Sequence, residues 1–201
     1  IEYKSAGLSD QQILQHIGAS ETAVEGIFFP DTYYFIKGSS DLDILQRAYK
    51  TMQNHLQNYW SERVESLPLN TPYEALILAS IIEKETGAES DRAEIAGVFI
   101  NRLRKGMKLQ TDPTVIYGLG EQFDGNLRKK DLLADQEYNT YTRAGLPPTP
   151  ISLPSLASIR AALNPAETDA LYFVAKGNGE SEFSTNLADH NKAVNKYQKQ
   201  Q

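Results

Sequence analysis

The sequence predicts an α+β fold, a mainly helical domain with short strands and one β-hairpin. Three observations favour this class. Apolar residues recur at helical spacing in most segments of the chain. The residues GNGE separate two runs rich in aromatic and β-branched residues, which is typical of a hairpin. Strands and helices do not alternate as a parallel α/β sheet would require, and no internal repeat is present.

The composition is that of an ordinary globular protein, and it excludes several classes of function. Of the 201 residues, 40% are hydrophobic and 23% are charged, a usual balance. The net charge of −6 provides no basic excess for a nucleic-acid partner. Cysteine is absent and the three histidines (His16, His55 and His190) are far apart in sequence. Thiol chemistry is therefore excluded, and neither a metal site nor another cofactor is predicted.

The N-terminal part is predicted to form a short helix, an extended segment and a long amphipathic helix. The segment Leu8–Gly18 combines a cap at Ser9 with a stop at Gly18. Aromatic and β-branched residues in Glu25–Gly38 indicate extended structure, interrupted by a proline-aspartate turn. Apolar residues then recur on one face of the polar segment Asp41–Val64, which predicts a helix followed by the linker SLPLN.

Two helices are predicted in the middle of the chain. TPYE, at Thr71–Glu74, is typical of a capping box with proline at the first helical position. The residues Ala75–Ile82 are apolar or small on every side, so this helix should be buried all round. Gly87 suits the position after its cap. A second helix is expected from Asp91, its cap, to about Lys105.

The C-terminal half is predicted to contain short helices, a rigid loop and the hairpin. LQTDPTVIYGLG indicates a loop that leads into a short helix with Asp112 as its N-cap. The segment Asp124–Gly145 is polar and irregular around one short helix, and four prolines stiffen Gly145–Pro154. The remaining elements are a helix over Leu156–Leu163, strands over 170–175 and 182–185, and a charged helical tail from Asn186.

The central helix ends with two acids, Glu83 and Glu85, in the sequence LASIIEKETG. The unpaired carbonyls of a last helical turn and the apolar surroundings both disfavour a negative charge there. A carboxyl at this place should therefore have a raised pKa and keep its proton near neutral pH, as general-acid catalysis requires. The two acids point in nearly opposite directions, so one should face a cleft while the other bonds inside the fold or meets solvent. From periodicity alone, a solvated or ion-paired acid is the commoner outcome.

Five segments of the sequence resemble the same protein family: ASIIEKET, FINRLRKGMKLQTDPTVIYGLG, YNTY, GLPPTPI and LYFVA followed by FSTNLADHN. In this order they resemble the endolytic murein transglycosylase (YceG-like) family. The match runs from about Glu25 to the C-terminus, and LQTDPTVIYG is its most specific part. The resemblance implies an enzyme that cuts the glycan strands of peptidoglycan with a lysozyme-like acid at a helix end.

The resemblance also implies a domain organisation and a location. Residues 1–40 would be the C-terminal part of a LysM-like region, and residues 41–201 the murein transglycosylase catalytic domain. Family members are anchored in the inner (cytoplasmic) membrane by one N-terminal helix and work on its outer, periplasmic face. Because the chain begins at Ile1 without a methionine, we expect a processed or truncated piece that lacks this anchor. Peptidoglycan glycan strands are the implied partner, and peptidoglycan synthases are further candidates.

The resemblance helps to choose between the two acids. Lytic transglycosylases with lysozyme-like sites place their acid in a Glu-Ser pair at the end of a helix. Glu85-Thr86 matches this pattern because a hydroxyl residue follows the acid, whereas Glu83-Lys84 does not. The helix-end argument points the same way, so Glu85 is predicted to be the catalytic acid.

Several polar residues could complete a sugar-binding cleft. Gln110 and Thr111 could donate to sugar hydroxyl or N-acetyl groups, although they could equally serve to close a loop. Asn139 and Tyr141, in YNTY, offer an amide and an aromatic face of the kind that binds sugars. Asp112 is a candidate second carboxylate, but Asp-Pro at a helix start is more often an N-cap.

A lytic transglycosylase needs only one carboxyl. This group would protonate the oxygen of the MurNAc-GlcNAc β-1,4 bond and then take the proton of the muramoyl 6-hydroxyl, which leaves a 1,6-anhydro-MurNAc end. Two alternatives stay open at this point. One is a muramidase-type hydrolase with Asp112 as its second carboxylate, and the other is a non-catalytic wall-binding scaffold.

Overall fold

Within residues 1–198, which the computed structural model describes, the chain forms eight α-helices and one two-stranded antiparallel sheet, as the α+β prediction requires. The helices are α1 (Asp10–Ile17), α2 (Asp41–Ser61), α3 (Pro72–Glu85), α4 (Glu89–Arg104), α5 (Asp112–Leu119), α6 (Lys129–Leu133), α7 (Leu156–Leu163) and α8 (Leu187–Tyr197). The strands are β1 (Tyr172–Ala175) and β2 (Ser181–Ser184). None of the helices in this part of the chain has the length and apolar character that crossing a membrane requires.

Helix α3 lies at the centre of the core. Its residues 75–82 are all buried, and it packs against α2, α4, α5 and α7. At its N-terminus the hydroxyl of Thr71 accepts from the backbone N–H of Glu74, as predicted. The predicted capping box is only half formed, because the Glu74 carboxylate accepts from the backbone N–H of Asn70, at 2.6 Å, and not from that of Thr71.

Two predicted elements differ from the observed ones for physical reasons. Within residues 1–198, the segment Glu25–Gly38 forms no strand because no neighbouring strand lies beside it; its Phe29 N–H donates instead to the carbonyl of Ala48 in α2. Helix α4 begins at Glu89, two residues before the predicted cap, without a side-chain cap. Asp91 is consequently inside the first turn and is nearly buried.

The end of α4 turns the chain back towards the end of α3. Gly106 adopts a left-handed conformation (φ 64°), which a glycine takes without steric cost. Its N–H donates to Leu103 O, and the N–H of Met107 donates to Arg102 O at 2.8 Å, a Schellman closure. This turn leads the chain into the segment that precedes α5, and it places that segment beside the last turn of α3.

The hairpin and α8 form the other side of the molecule. β1 and β2 pair antiparallel, with Tyr172 opposite Ser184 and Ala175 opposite Ser181, and α8 packs on both strands. The side chain of Asn101 on α4 donates to the carbonyls of Thr168, at 2.6 Å, and Ala170. These bonds fix the base of the hairpin to α4.

The first forty residues pack against the same core as the rest of the chain. Leu14 and Ile17 of α1, together with Ile27, belong to one hydrophobic cluster with Met52 of α2. The Asp41 carboxylate also accepts from the backbone N–H of Lys4 at 2.8 Å. The division at residue 40 into a LysM-like part and a catalytic part stays a prediction.

Gly97→Ala should destabilise the protein, although glycine to alanine inside a helix ordinarily stabilises it by about 1 kcal/mol. A Cβ at this place in α4 would lie 2.7 Å from the carbonyl oxygen of Ala166 and from Cγ2 of Thr168. The backbone of Ala166 cannot easily retreat, since its N–H donates to Ala93 O at 2.9 Å. We expect urea denaturation to show a loss of about 1–3 kcal/mol in the free energy of unfolding.

Gly87→Ala is the matched control. A Cβ at Gly87 meets open space, and the backbone there is not left-handed. The free energy of unfolding should change by less than about 0.5 kcal/mol. A Gly97→Ala protein as stable as the wild type would show that the contact between α4 and the segment after α7 is not tight.

Candidate active site

An open cleft of about 470 Å³ lies where the end of α3, the end of α4, the start of α5 and the hairpin meet. One side consists mainly of the apolar residues of the hairpin and α8, and the other side is polar. The polar residues that bear on its chemistry are Glu85, Arg102, Gln110, Thr111, Asp112, Tyr141, Tyr172 and His190. Five of the six residues that the sequence predicts as site candidates therefore line one cleft, and Asn139 does not.

Glu85 is the last residue of α3, and its partly buried side chain faces this cleft. Burial raises the pKa of Glu85 to about 7. A hydrogen bond from the Thr111 hydroxyl to Oε1 and the charge of Arg102 act in the opposite direction, while the charge of Asp112 adds to the increase. The carboxyl is therefore divided between its neutral and ionised forms near pH 7, in agreement with the raised pKa that the sequence predicts.

Glu83 faces the other way and bonds inside the fold, which is the arrangement predicted from the spacing of the two acids. Its Oε2 accepts from the backbone N–H of Ser155 (2.9 Å) and from the hydroxyls of Ser155 and Ser158 (2.6 Å each). Burial on its own would raise the pKa of Glu83, but these bonds outweigh it and the pKa is lowered. Glu83 thus ties α3 to the N-terminus of α7 as a carboxylate.

The segment before α5 delivers a hydroxyl to Glu85. Gln110 has a left-handed backbone (φ 50°), and its N–H donates to Thr140 O. The next residue, Thr111, is only 2% exposed; its N–H donates to the Thr140 hydroxyl at 3.1 Å, and its carbonyl accepts from the Thr114 hydroxyl at 2.8 Å. With its backbone held on both sides, Thr111 directs its own hydroxyl to Glu85. Gln110 is exposed in the cleft, where a ligand can reach it.

Asp112 is not the N-cap that the sequence predicts. Thr111 occupies the cap position and Asp112 is the first helical residue of α5, so its carboxylate is free to point into the cleft. The hydroxyl of Tyr141 donates to Asp112 Oδ1 at 2.5 Å. Burial raises the pKa of Tyr141, and the neighbouring Asp112 raises it further, so this hydroxyl keeps its proton.

Asn139 does not reach the cleft. It is 0% exposed, and its amide nitrogen donates to the carbonyls of Asp131, Leu132 and Ala134. Its amide oxygen accepts from the N–H of Tyr141 at 2.8 Å. All of its bonding groups are used within the fold, so Asn139 holds Tyr141 in place and is not available to a sugar.

Arg102, which was not predicted from the sequence, contributes a positive charge to the cleft. Arg102 is 7% exposed, and its guanidinium lies 5.0 Å from the centre of the Tyr172 ring. The same Tyr172 ring stacks with His190, and the two ring centres are 5.2 Å apart. The signal was present, because an arginine at position 102 continues the buried stripe of α4 that contains Ile95 and Phe99.

His190 is uncharged at neutral pH. Burial lowers the pKa of His190, and the positive charge of Arg102 lowers it further. The imidazole lines the cleft as a flat neutral ring beside Tyr172. The stacking of His190 on Tyr172 is a packing contact.

The fold and the site define a class: a mainly helical domain in which the last residue of a buried helix presents one protonatable carboxyl to an open polar cleft. The sequence model of the YceG-like family matches residues 3–196. The chain belongs to the YceG-like family, which confirms the resemblance found in the sequence.

Individual relatives agree with this assignment. The chain is 45% identical over 175 residues to the endolytic murein transglycosylase of Bacillus subtilis (strain 168), a match that covers 87% of the chain and 48% of that protein. It is 33% identical over 177 residues to the endolytic murein transglycosylase of Streptococcus pneumoniae serotype 2 (strain D39 / NCTC 7466), covering 85% and 32%. The crystal structure of a yceG-like protein from Listeria monocytogenes is similar with a TM-score of 0.76 and 38% identity, over 90% of this chain and 62% of that one. The chain thus spans about half the length, or less, of the curated relatives it matches.

Glu85→Gln and Glu83→Gln should change stability with opposite dependence on pH. The pKa of Glu85 is about 7 in the folded state against an ordinary value of 4.5, so the folded state holds this proton more tightly than the unfolded chain does. Stability is therefore lost as pH rises from about 4.5 to 7. Glu85→Gln removes that loss, and it should equal the wild type near pH 4 and exceed it by about 2–3 kcal/mol above pH 7.

Glu83→Gln is the paired measurement. Because the pKa of Glu83 is lowered, its stabilising effect is present at neutral pH and is lost as the pH falls. This variant should be about 1–2 kcal/mol less stable than the wild type at pH 7, with a difference that shrinks towards acid pH. Thermal melting between pH 4 and pH 8 measures both differences, and equal behaviour of the two variants would contradict the contrast between the two acids.

Proposed function

We propose that this domain is an endolytic lytic transglycosylase that cleaves the MurNAc-GlcNAc β-1,4 bond of peptidoglycan glycan strands and leaves 1,6-anhydro-MurNAc ends. The observation that carries the proposal is the Glu85 carboxyl, which faces an open cleft with a pKa of about 7. Such a group can both donate and accept a proton near neutral pH. The names of the relatives support the same activity, although the chain spans only part of their length.

In the proposed reaction one carboxyl acts twice. Neutral Glu85 gives its proton to the glycosidic oxygen as the bond from that oxygen to the anomeric carbon of MurNAc breaks. The Glu85 carboxylate then takes the proton of the muramoyl 6-hydroxyl, whose oxygen bonds to the anomeric carbon. Glu85 ends as it began, and no water is consumed. Because the nucleophile belongs to the same sugar ring, its effective concentration is high.

Asp112 is proposed to supply negative charge to the reacting sugar, because its carboxylate lines the same cleft as Glu85. The oxocarbenium-like transition state carries positive charge, which a fixed carboxylate stabilises in a partly desolvated site. Tyr141 fixes Asp112 through its 2.5 Å hydrogen bond. Gln110 and Tyr141 are the residues that we propose as sugar contacts, because both line the cleft.

A muramidase-type hydrolase is the second candidate, and it is favoured by one observation: Asp112 lines the same cleft as Glu85. The hydrogen bond from Tyr141 opposes this role, since a carboxylate that already accepts a short hydrogen bond is a weaker base for water. A non-catalytic scaffold is disfavoured because a buried carboxyl with a raised pKa lowers stability at neutral pH without any benefit to simple binding.

The family resemblance extends the proposal to the place of action. We propose that the protein acts on the outer, periplasmic face of the inner membrane, where its glycan substrate lies, and that a single N-terminal membrane helix anchors it there. Peptidoglycan synthases are proposed partners, because an enzyme that cuts nascent strands has to work where the strands are made.

Glu85→Gln should abolish glycan cleavage while the fold is kept. Loss of a general acid lowers the rate by about 10²–10⁴-fold. Glu83→Gln is the matched control, and it should retain most of the activity per folded molecule. The test is mass spectrometry of the products from purified glycan strands, beside circular dichroism of each variant. Full activity of Glu85→Gln would remove the basis of the proposal.

The pH dependence of the wild-type reaction should follow the protonation of Glu85. Since the first step needs the neutral acid, kcat/KM should fall as pH rises through about 7. Measurement of initial rates between pH 5 and pH 9 tests this expectation. A rate that stays level to pH 9 would exclude Glu85 as the acid.

Asp112→Asn separates the two enzymatic candidates. For a lytic transglycosylase, the variant should be slower but still produce anhydro ends, and the fall in kcat/KM should move to lower pH because a charge that raises the pKa of Glu85 is gone. For a muramidase, wild-type products would contain one added water per cut, and the variant would lose activity. Product masses from both proteins decide between these outcomes.

A further inference from the structure

Arg102 brings a fixed positive charge into the cleft from the buried face of α4. Its Nε donates to Leu171 O at 2.6 Å and its Nη1 donates to Leu109 O at 2.9 Å. Leu171 directly precedes β1, and Leu109 lies in the segment whose Thr111 hydroxyl donates to Glu85. One side chain therefore joins the hairpin side of the cleft to the segment that contacts the acid.

The second terminal nitrogen of Arg102, Nη2, takes part in none of these bonds. Nη2 donates to no atom within the described part of the chain. It is also not sealed from solvent, in contrast to Nε of Arg92, which is buried without a partner. Because Arg102 lines the cleft, the positive charge of its guanidinium acts within the cleft.

The proposed reaction makes an unusual demand on Glu85, which has to exist as an acid and as an anion within one turnover. Burial and the charge of Asp112 both favour the neutral acid. After the first proton transfer, the new carboxylate would be partly desolvated and close to a second negative charge. An anion in that setting needs a compensating positive charge.

The other ionisable groups around Glu85 and Arg102 do not provide this charge. The phenols Tyr141 and Tyr172 and the carboxyl group of Asp112 cannot carry a positive charge, and His190 has a lowered pKa and is neutral. Among the described residues that line the cleft, Arg102 is the one permanent cation.

We propose that Arg102 is a positioning residue that stabilises the ionised form of Glu85 between the two proton transfers, so that one carboxyl can serve as acid and then as base. The role of Arg102 in turnover rests on the proposed function, whereas its electrostatic effect on Glu85 does not. Its hydrogen bonds to the carbonyls on either side of the cleft hold the charge at a fixed place. A lysine could supply the charge, but it could not make this pair of hydrogen bonds from one planar group.

A melting experiment tests the electrostatic part without any catalysis. The difference in melting temperature between proteins with Glu85 and with Glu85→Gln is measured from pH 4 to pH 9, once in the wild-type background and once with Arg102→Gln. Loss of the cation should move the upper end of the pH range in which this difference develops to higher pH and enlarge the final difference, because the pKa of Glu85 rises further in the folded state alone. Arg104→Gln, on the same helix but exposed, is the matched control and should leave the range unchanged. An unchanged range with Arg102→Gln would overturn the proposal.

Kinetics on purified glycan strands test the role in turnover. With Arg102→Gln, kcat should fall by roughly 10²-fold with little change in KM, and the basic limb of the pH profile should move to higher pH. With Arg102→Lys, the basic limb of the pH profile should return to its wild-type position because the charge is kept. The rate should stay lower because the paired hydrogen bonds of the guanidinium are lost. A merely structural arginine would lower kcat without moving the limb, and this result would overturn the proposal.

Two outcomes keep the inference separate from the proposed function. If the wild type cuts no glycan, the proposed function fails, and the melting comparison still decides whether Arg102 stabilises the Glu85 anion. If circular dichroism shows that Arg102→Gln does not fold, Arg102→Lys decides: the melting difference should then develop at the wild-type pH, and a shift would overturn the proposal.

Discussion

The removal of one carboxyl group from water is the constraint on which the rest of the site depends. Helix α3 is buried along residues 75–82, and only its last turn reaches the cleft. The acid at that turn is kept from full hydration, and its pKa rises to about 7 because of this burial. The fold tolerates the instability because the surrounding core is large and fixed by α2, α4 and α7. Thr111, Asp112 and Arg102 then adjust the balance between the two forms of the acid.

The site is held together by backbone and side-chain groups whose hydrogen bonds are formed within the fold. The side-chain amide of Asn139 bonds to the carbonyl of Ala134 and to the N–H of Tyr141, and the hydroxyl of Tyr141 in turn donates to Asp112. The hydroxyls of Thr140 and Thr114 hold the backbone of Thr111 on both sides. Such chains of satisfied hydrogen bonds fix the positions of the few groups that face the cleft. The groups that face the cleft thus lie on short segments that rigid elements hold in place.

Local patterns predicted most of the elements, whereas contacts between distant residues decided what the sequence could not provide. The caps of α1 and α3, the buried character of α3 and the hairpin follow from residues within a few positions of one another. Tyr141 meets Asp112 across 29 residues, and Arg102 meets Leu171 across 69. Periodicity contains no information on such pairings, so Asp112 resembled an ordinary N-cap and Arg102 was overlooked. The apolar run before Glu85 was the local signal that did point to the site.

The bonds of Glu83 to Ser155 and Ser158 have a consequence for the length of α3. They fix the rotation of this helix about its own axis, because the acid that faces α7 can bond there in only one orientation. Addition or removal of a single residue would turn the final turn by about 100° and direct neither acid to its partner. The number of residues between Pro72 and Glu85 is therefore as strictly determined as the identity of the acid. Insertions and deletions in a lineage of such proteins should be confined to the surface loops and leave this helix untouched.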